Sequence, residues 1–462
     1  MGKHRSLLTM LGVSVGLLGA ASLAGLAGCK SDGPGGGGDG GGPDLAGCIG
    51  SACNPQDNCA NGTPTTIVGN VFAPNGLDPV PQVSVWVPTG AVPPAKTGLS
   101  CDLCAQGSPP GSLASTLTRS DGFFSITGVP AGDDVTIIAE LGRFRRVTHM
   151  KVVACTQNIV PADPSAHGLR LPPKDAAFAA EDTAPHVAVA TGDFDQIECV
   201  LKRMGFEQFD LYNDRDPGAA LPATIGEFAA LLADPVKMAM YNIIIVNCTK
   251  AQFEDALTPA ALTNLEAYVG TGGRLYATDW AYDVINQVPE FAPFMCFVPG
   301  GVDGPAPTAT CSASPGTPKA AHSTTAYDTG AQIVDPDLLD WIMQIPGALV
   351  NGQVPIQFNF VVINQVVSDM THSSKIYAKG LAEDPMALPM FSKGVRPLTA
   401  TFDYKQCGRV HYSTYNTEPS DVVMDTPAAR YPMCGMRTDF NPQERILEYL
   451  IFEVAQCIAP IL

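Results

Sequence analysis

Basic residues are scarce in this chain. There are 27 Lys and Arg against 45 Asp and Glu, a formal net charge of −18. That balance argues against nucleic acid and anionic lipid as partners. Charged residues of either sign make up only 16% of the chain, against 45% hydrophobic residues, so sizeable cores can be buried. Metallopeptidase spacing is missing: no His begins an H-E-x-x-H or H-x-x-E run. Beyond residue 27 no apolar run is long enough to cross a bilayer. Thr191-Gly192-Asp193 carries a single glycine, which falls short of a G-x-G-x-x-G phosphate loop.

What is present begins with a leader. Lys3, His4 and Arg5 precede an apolar run over residues 7–27, which ends in Leu26-Ala27-Gly28-Cys29. This resembles a bacterial lipobox. The resemblance implies removal of residues 1–28, lipidation of Cys29 through its thiolate and anchoring by several acyl chains. An uncleaved membrane helix is the alternative, since the run could span. Lys30 and Ser31 follow with no Asp, which by resemblance to Gram-negative lipoproteins implies the outer membrane. Residues 29–47 are mostly Gly with Pro and Asp and form a tether with a reach of roughly 25 Å.

Fourteen cysteines are present. With Cys29 committed to lipid, an odd number remains: Cys48, Cys53, Cys59, Cys101, Cys104, Cys155, Cys199, Cys248, Cys296, Cys311, Cys407, Cys434 and Cys457. Outside the inner membrane most should form disulfides, with at least one thiol left over; sequence does not give the pairing. Residues 48–64, with Cys48, Cys53 and Cys59, read as a cystine-bearing collar, with a metal site as the sharper alternative. Cys101 and Cys104 sit in a Gly, Ser and Pro-rich segment with nothing helical after it. Structural disulfides, with Cys155 a candidate partner, suit it better than redox or zinc chemistry.

Residues 65–172 read as all-β. A strand over 66–72 leads to Pro74-Asn75-Gly76, and Val83, Val85 and Val87 alternate with Ser84 and Trp86. Residues 116–119 and 123–126 flank Ser120-Asp121-Gly122 as an expected hairpin, and further strands cover 135–141 and 143–153. Spacing of this kind makes a β-sandwich. Arg143, Arg145 and Arg146 read as a solvated strand face, with a basic ligand patch as the alternative. The order "IVGNVFAPNG…VPQVSVWVP…TRSDGFFSITGVPAGDDVTIIAELGRFRR" resembles the carboxypeptidase regulatory-like, or transthyretin-like, domain. Such domains are accessory sandwiches, and some relatives of that fold bind carbohydrate.

After a Pro-rich linker at 173–185, residues 186–462 read as α/β. The organising stretch is 241–280. Ile243, Ile244, Ile245 and Val246 are a continuous β-branched run suited to a strand covered on both faces. A helix with Leu262, Leu265 and Val269 on one face follows, then a strand over 274–278, giving one right-handed βαβ unit. A strand over 186–190 precedes a helix carrying Ile197, Val200, Leu201 and Met204, with Asp195 and Glu198 as a capping pair and Gly205 as its stop. An insertion is expected around 296–400, with a loop closed by Cys296 and Cys311. Asn441, Pro442 and Glu444 start the last helix as N-cap, N1 and N3.

"YNIIIVNC", "LEAYVGTGGRLYATDW" and "CGRVHYSTYN" resemble the class I glutamine amidotransferase-like flavodoxin fold. The expected architecture is therefore multidomain: a β-sandwich followed by a flavodoxin-like α/β domain with a mainly parallel sheet. Catalytic members carry a Cys within G-x-C-x-G on a sharp turn after a strand, and a later His. Here that turn offers Asp279 and Trp280, Cys248 follows a different strand, and His411 lies inside its strand, so no catalytic residue carries over. The whole arrangement, with "ECVLKRMG" and "NPQERILEYLIFEVAQC", also resembles bacterial envelope lipoproteins with a regulatory-like domain.

In an open α/β sheet ligands bind outside the carboxyl ends of the strands. Candidate ligand residues are therefore Asp193, Asp279, Trp280 and Tyr282. Asp193, Asp279 and Asp283 could hold a cation or serve turns and caps. Trp280 and Tyr282 could stack on a sugar or cover the sheet edge. Cys248 is expected in a disulfide, with Cys199 as a candidate partner; the competing reading pairs it with His186 or His411. No cofactor, metal or catalytic residue is expected. The expected role is recognition or scaffolding at the envelope, with carbohydrate or another envelope protein as partner. A hydrolase using Cys248 or Asp279 with His411 is the alternative.

Overall fold

A computed structural model of the chain describes residues 59, 62–102, 108–161, 168–214, 224–249, 257–298, 326–369, 371–384, 391–416, 434 and 439–458. Cys29, Cys48, Cys53, Cys104 and Cys311, with the leader and tether, lie outside the described residues. Among the described residues, no helix is long and apolar enough to cross a membrane.

The first strands are β1 (Thr66–Phe72), β2 (Ser84–Pro88), β3 (Ser112–Leu117), β4 (Phe123–Thr127), β5 (Gly132–Leu141), β6 (Phe144–Val152), β7 (Gln157–Ile159) and β8 (Leu169–Arg170). They form two sheets: β4-β1-β7 with β8 also on β1, and β3-β2-β5-β6. Val85, Val87, Ile137 and Ala139 of one sheet and Ile67, Val71, Phe124 and Ile126 of the other share one buried cluster. The Asp-Gly turn is present, with Gly122 N–H donating to the Arg119 carbonyl at 2.9 Å. It does not close a hairpin, because β3 pairs β2 while β4 pairs β1. The turn is a sheet-to-sheet crossing, and Gly122 suits it by adopting φ +73.

The larger sheet is built from β9 (Val187–Thr191), β10 (Phe209–Asn213), β11 (Ile243–Val246), β12 (Arg274–Thr278), β14 (Tyr327–Ile333), β15 (Val354–Asn359), β17 (Ser373–Asp384), β18 (Phe391–Tyr404) and β19 (Gly408–Ser413), while β13 (Met295–Phe297) pairs with β16 (Ile363–Val366) apart from it. Its order is β10-β9-β11-β12-β19-β18-β17-β14-β15. The pairings from β10 to β19 are parallel, and those from β19 to β15 are antiparallel. A mainly parallel sheet is thus corrected to a mixed one. Residues inside the span expected as an insertion supply β14, β15, β17 and most of β18. β17, β18 and β19 follow one another in sequence and pair antiparallel, so they need no crossover helix.

Helices cover both faces of the parallel half. They are α1 (Ile197–Arg203), α2 (Phe228–Leu232), α3 (Pro235–Met238), α4 (Pro259–Gly270), α5 (Asp283–Asn286), α6 (Pro336–Ile342) and α7 (Pro442–Ala455). Val187, Val189, Ile243, Ile245 and Tyr276 face a cluster shared with α1, α6, α7 and the sandwich core. Ala188, Ala190, Ile244, Val246 and Ala277 face a second cluster with α2 and α4. This two-sided burial is why β11 reads as an uninterrupted apolar run. α7 starts with the expected reciprocal capping box between Asn441 and Glu444. α1 does not start as expected: its N-cap is Gln196 with no side-chain cap bond. Asp195 instead accepts from its neighbour's N–H and from Thr278.

The sandwich and the larger sheet belong to one compact unit. The Phe144 ring lies 5.4 Å from that of Phe206 and 5.9 Å from that of Phe452. The linker is docked as well: Asp182, buried, accepts from Arg146 Nη1 and from the backbone of Val147, Phe178 and Ala179. Disulfides join Cys59 to Cys155, Cys101 to Cys407 and Cys199 to Cys434; Cys296 and Cys457 are also disulfide-bonded. Two candidate pairings are therefore corrected. Cys155 serves the collar cysteine Cys59, and Cys199 is taken by Cys434, which leaves Cys248 a free, buried thiol.

Candidate functional site at the carboxyl ends of the parallel strands

The chain crosses from β12 into a 3-10 turn (Asp279–Tyr282) through a strained residue. Asp279 has φ +43, a left-handed conformation that few residues other than Gly and Asn adopt. Such residues concentrate where surrounding structure over-determines the backbone. Here the carbonyl of Asp279 accepts from Tyr412 Oη at 2.8 Å, and its Oδ2 accepts from Cys248 Sγ at 3.4 Å. The elbow after β12 is thus occupied by a carboxyl group.

The supporting bonds are buried too. Thr278 Oγ1 donates to Asp195 Oδ2 at 2.8 Å and accepts from Cys248 N–H at 3.1 Å. Asn247 Nδ2 donates to Glu198 Oε2 at 2.8 Å, which explains the burial of Glu198. Gly192 is required by proximity: a Cβ there would lie 2.2 Å from the Cys248 carbonyl oxygen. The glycine of Thr191-Gly192-Asp193 therefore serves strand-end packing, and Phe194 N–H donates to that same carbonyl at 3.2 Å.

Burial holds the Asp279 carboxyl well above the usual carboxylate range. Asp195 nearby adds to the shift, against the Cys248 thiol and the Phe360 N–H. Burial, with Asp279 close by, also pushes the Cys248 thiol well up. Burial thus favours the protonated form of both groups, the reverse of what activates a nucleophile.

His411 does not join them. It pairs in register with Tyr276, and the alternation of the strand turns it to the face covered by α7. There its Nε2 lies 3.1 Å from Glu453 Oε2, and burial lowers its imidazole despite that carboxylate. His186 is exposed at the opposite end of β9 and bonds Asp175 at 2.9 Å. No imidazole reaches Cys248 or Asp279 among the described residues.

The remaining candidates divide. Asp193 is half-buried and accepts from Thr249 Oγ1 at 3.1 Å. Asp283 is buried in the first turn of α5. Among the described residues no group of three or more His, Cys, Asp or Glu is placed to hold a metal ion, so Asp193, Asp279 and Asp283 are not gathered into one cluster. Tyr282 is buried against Phe297, with ring centroids 5.0 Å apart, and offers no stacking surface. Trp280 is half-buried, edge-on to Phe194 and Phe360 at 5.5 and 5.9 Å. The site residue missed in the sequence is Asp195. Its place three residues before Glu198 suggested a cap, and nothing local marked its bond to Thr278.

A protonated Asp279 has a consequence for stability. A carboxyl whose folded pKa lies above its unfolded value of about 3.8 contributes stability below that pH and loses it as pH rises. Asp279→Asn keeps a residue tolerant of φ +43 and removes the titration. Its melting temperature should exceed that of the parent, with a gain that grows from pH 4 to pH 7. A lower melting temperature with no pH trend would show that the carboxylate is ionised and needed.

No protein-family model matches the chain, and no curated protein matches it. Among solved structures, a ThuA-like protein from Parabacteroides merdae aligns at 12% identity with a TM-score of 0.34, over 61% of this chain and 93% of that one. A ThuA-like protein from Bacteroides uniformis aligns at 12% and 0.30, over 56% and 96%. A β-galactosidase from Bacillus circulans sp. alkalophilus aligns at 10% and 0.29, over 60% and 32%. At these scores none of them bears on what this chain does.

Proposed function

We infer that this is a non-catalytic recognition or scaffolding protein of the cell envelope. Its glutamine amidotransferase-like, flavodoxin-related half serves as a frame, and it is anchored at the outer membrane through lipid on Cys29. Carbohydrate is the ligand class this reading puts first. One observation carries it: at the elbow after β12 a buried carboxyl and a buried free thiol lie 3.4 Å apart, while the imidazole of His411 faces Glu453 on the other side of the sheet. Acyl or glycosyl transfer at that elbow would need a charged nucleophile or a general base within reach. The lipobox and glycine tether support the anchored location.

The test is the reactivity of Cys248. Alkylation followed by peptide mass spectrometry should find Cys248 unmodified in the native protein up to pH 8 and fully modified after denaturation. Rapid native labelling with an apparent pKa below 7 would replace this reading with a thiol hydrolase.

A further inference from the structure

The outer face of the sandwich sheet β3-β2-β5-β6 holds two groups whose bonding is unfinished. Leu117, Ser84, Glu140 and Arg145 stand in one row across the four strands, and Ser115, Trp86, Ile138 and Val147 in the next. This face turns away from the shared core: Trp86 forms a separate apolar cluster with Ile138, Val147 and Val92. A cleft of about 670 Å³ opens over the first row, walled by residues 93–96 and 108–110. That size suits a small ligand.

The three arginines of β6 and the turn before it have different fates. Arg143 donates to Ser100 Oγ at 2.6 Å and lies 3.5 Å from Asp102. Arg146 pairs with Asp182 at 2.9 Å. Neither a solvated face nor a shared basic patch results. Arg145 lines the cleft and is only 3% exposed, yet among the described residues its Nε and Nη2 have no partner. Glu140, opposite in register, makes no ion pair with it. Trp86 is 2% exposed, lines the same cleft, and its indole N–H is likewise without a partner among the described residues. A buried guanidinium without a counter-ion is costly, as is an unbonded indole N–H.

We propose that this cleft is a binding site for a saccharide unit bearing a carboxylate, such as a uronic acid. Nε and Nη2 form one edge of the planar guanidinium, and that edge matches the two oxygens of a carboxylate. The indole N–H takes a ring or hydroxyl oxygen, and Ser84, Ser115 and Glu140 take hydroxyls. The unpartnered groups are side chains on the face of the sheet, and the edge of β6 at Arg145 is already bonded to the backbone of Thr183, so a peptide added there as a further strand would leave them unmet. The inference rests on the recognition role proposed above and supplies its site and ligand class.

The test is calorimetric titration of the full chain with trigalacturonate, its neutral counterpart galactotriose, and a short peptide with a free C-terminal carboxylate. Trigalacturonate should bind at least tenfold more tightly than galactotriose, a comparison that needs no variant. Arg145→Lys, which keeps the charge and loses the fork, should weaken trigalacturonate at least tenfold and leave galactotriose unchanged. Equal affinity for both sugars, or an Arg145→Lys variant that binds as the parent does, overturns the carboxylate assignment and leaves recognition standing. Binding of the peptide alone overturns the saccharide class. No binding of any probe, together with a low-pKa Cys248, overturns the site and the recognition role together.

Discussion

Arg409→Ala should destabilise the protein by about 4 kcal/mol, measured as a fall in the denaturation midpoint. Arg409 lies on β19, 7% exposed, beneath α7. Its Nε and Nη2 grip Asp403 at 2.6 and 3.2 Å, and its Nη1 reaches the Glu453 carbonyl at 3.1 Å and the Glu453 carboxylate at 3.3 Å. Removal leaves two carboxylates with little solvent, which costs more than the pair itself contributes. The loss should depend on pH. Burial alone would raise the Glu453 carboxyl; Arg409, with His411, brings it below the usual range. A depressed carboxyl gives stability that is present above its unfolded value, about 4.5, and is lost as pH falls. Without Arg409 that stability is absent, so the gap between parent and variant should narrow below pH 4.5. A gap that stays constant from pH 7 to pH 3 would mean that Glu453 does not depend on this cation.

The second large effect is expected from the disulfide between Cys101 and Cys407, which closes a separation of 306 residues. Replacing both cysteines by Ser should cost about 4 kcal/mol, because a loop of that length restricts the unfolded chain strongly. The bond ties the sandwich to the amino ends of the parallel strands. Around it Ile458 N–H donates to the Asp102 carbonyl at 2.8 Å, and Asn242 Nδ2 donates to the Gly98 carbonyl at 3.2 Å. Arg274 Nη1 donates to the Cys407 carbonyl at 2.7 Å. A Cβ on Gly272 would stand 2.2 Å from the Ser100 carbonyl oxygen, so this junction tolerates little displacement. Faster proteolysis between residues 96 and 102 should accompany the fall in midpoint. A double variant within 1 kcal/mol of the parent would show that the surrounding hydrogen bonds and shared core hold the two sheets without the bond.

The recognition role proposed above draws on two places, the unpartnered groups of the sandwich cleft and the buried pair at the β12 elbow. One holds buried donors with no acceptor among the described residues; the other holds an acid and a thiol that burial shifts toward their protonated forms.

The sequence alone determined those features that short stretches of chain impose. The run Ile243–Val246 had to be a strand covered on both faces, because four consecutive β-branched residues leave no polar side to expose. Asn441, Pro442 and Glu444 had to open a helix, because their groups satisfy orphan N–H donors within one turn. Tertiary structure decided everything that depends on partners distant in sequence. An Asp-Gly turn specifies a reversal but not whether its two strands share a sheet, so β3 and β4 were separable only in space. Residues 373–404 alternate like any strands, and their antiparallel addition to the larger sheet depends on which edge lies open. Cysteine spacing does not fix connectivity, since thiols pair only where the fold brings their Cα atoms within reach. The register of β19 against β12 decides that His411 faces Glu453, and a shift of one residue would have turned it to the other face. The same dependence governs the three arginines near residue 145, where neighbours from residues 100, 102 and 182 bond two of them and leave the third to the cleft.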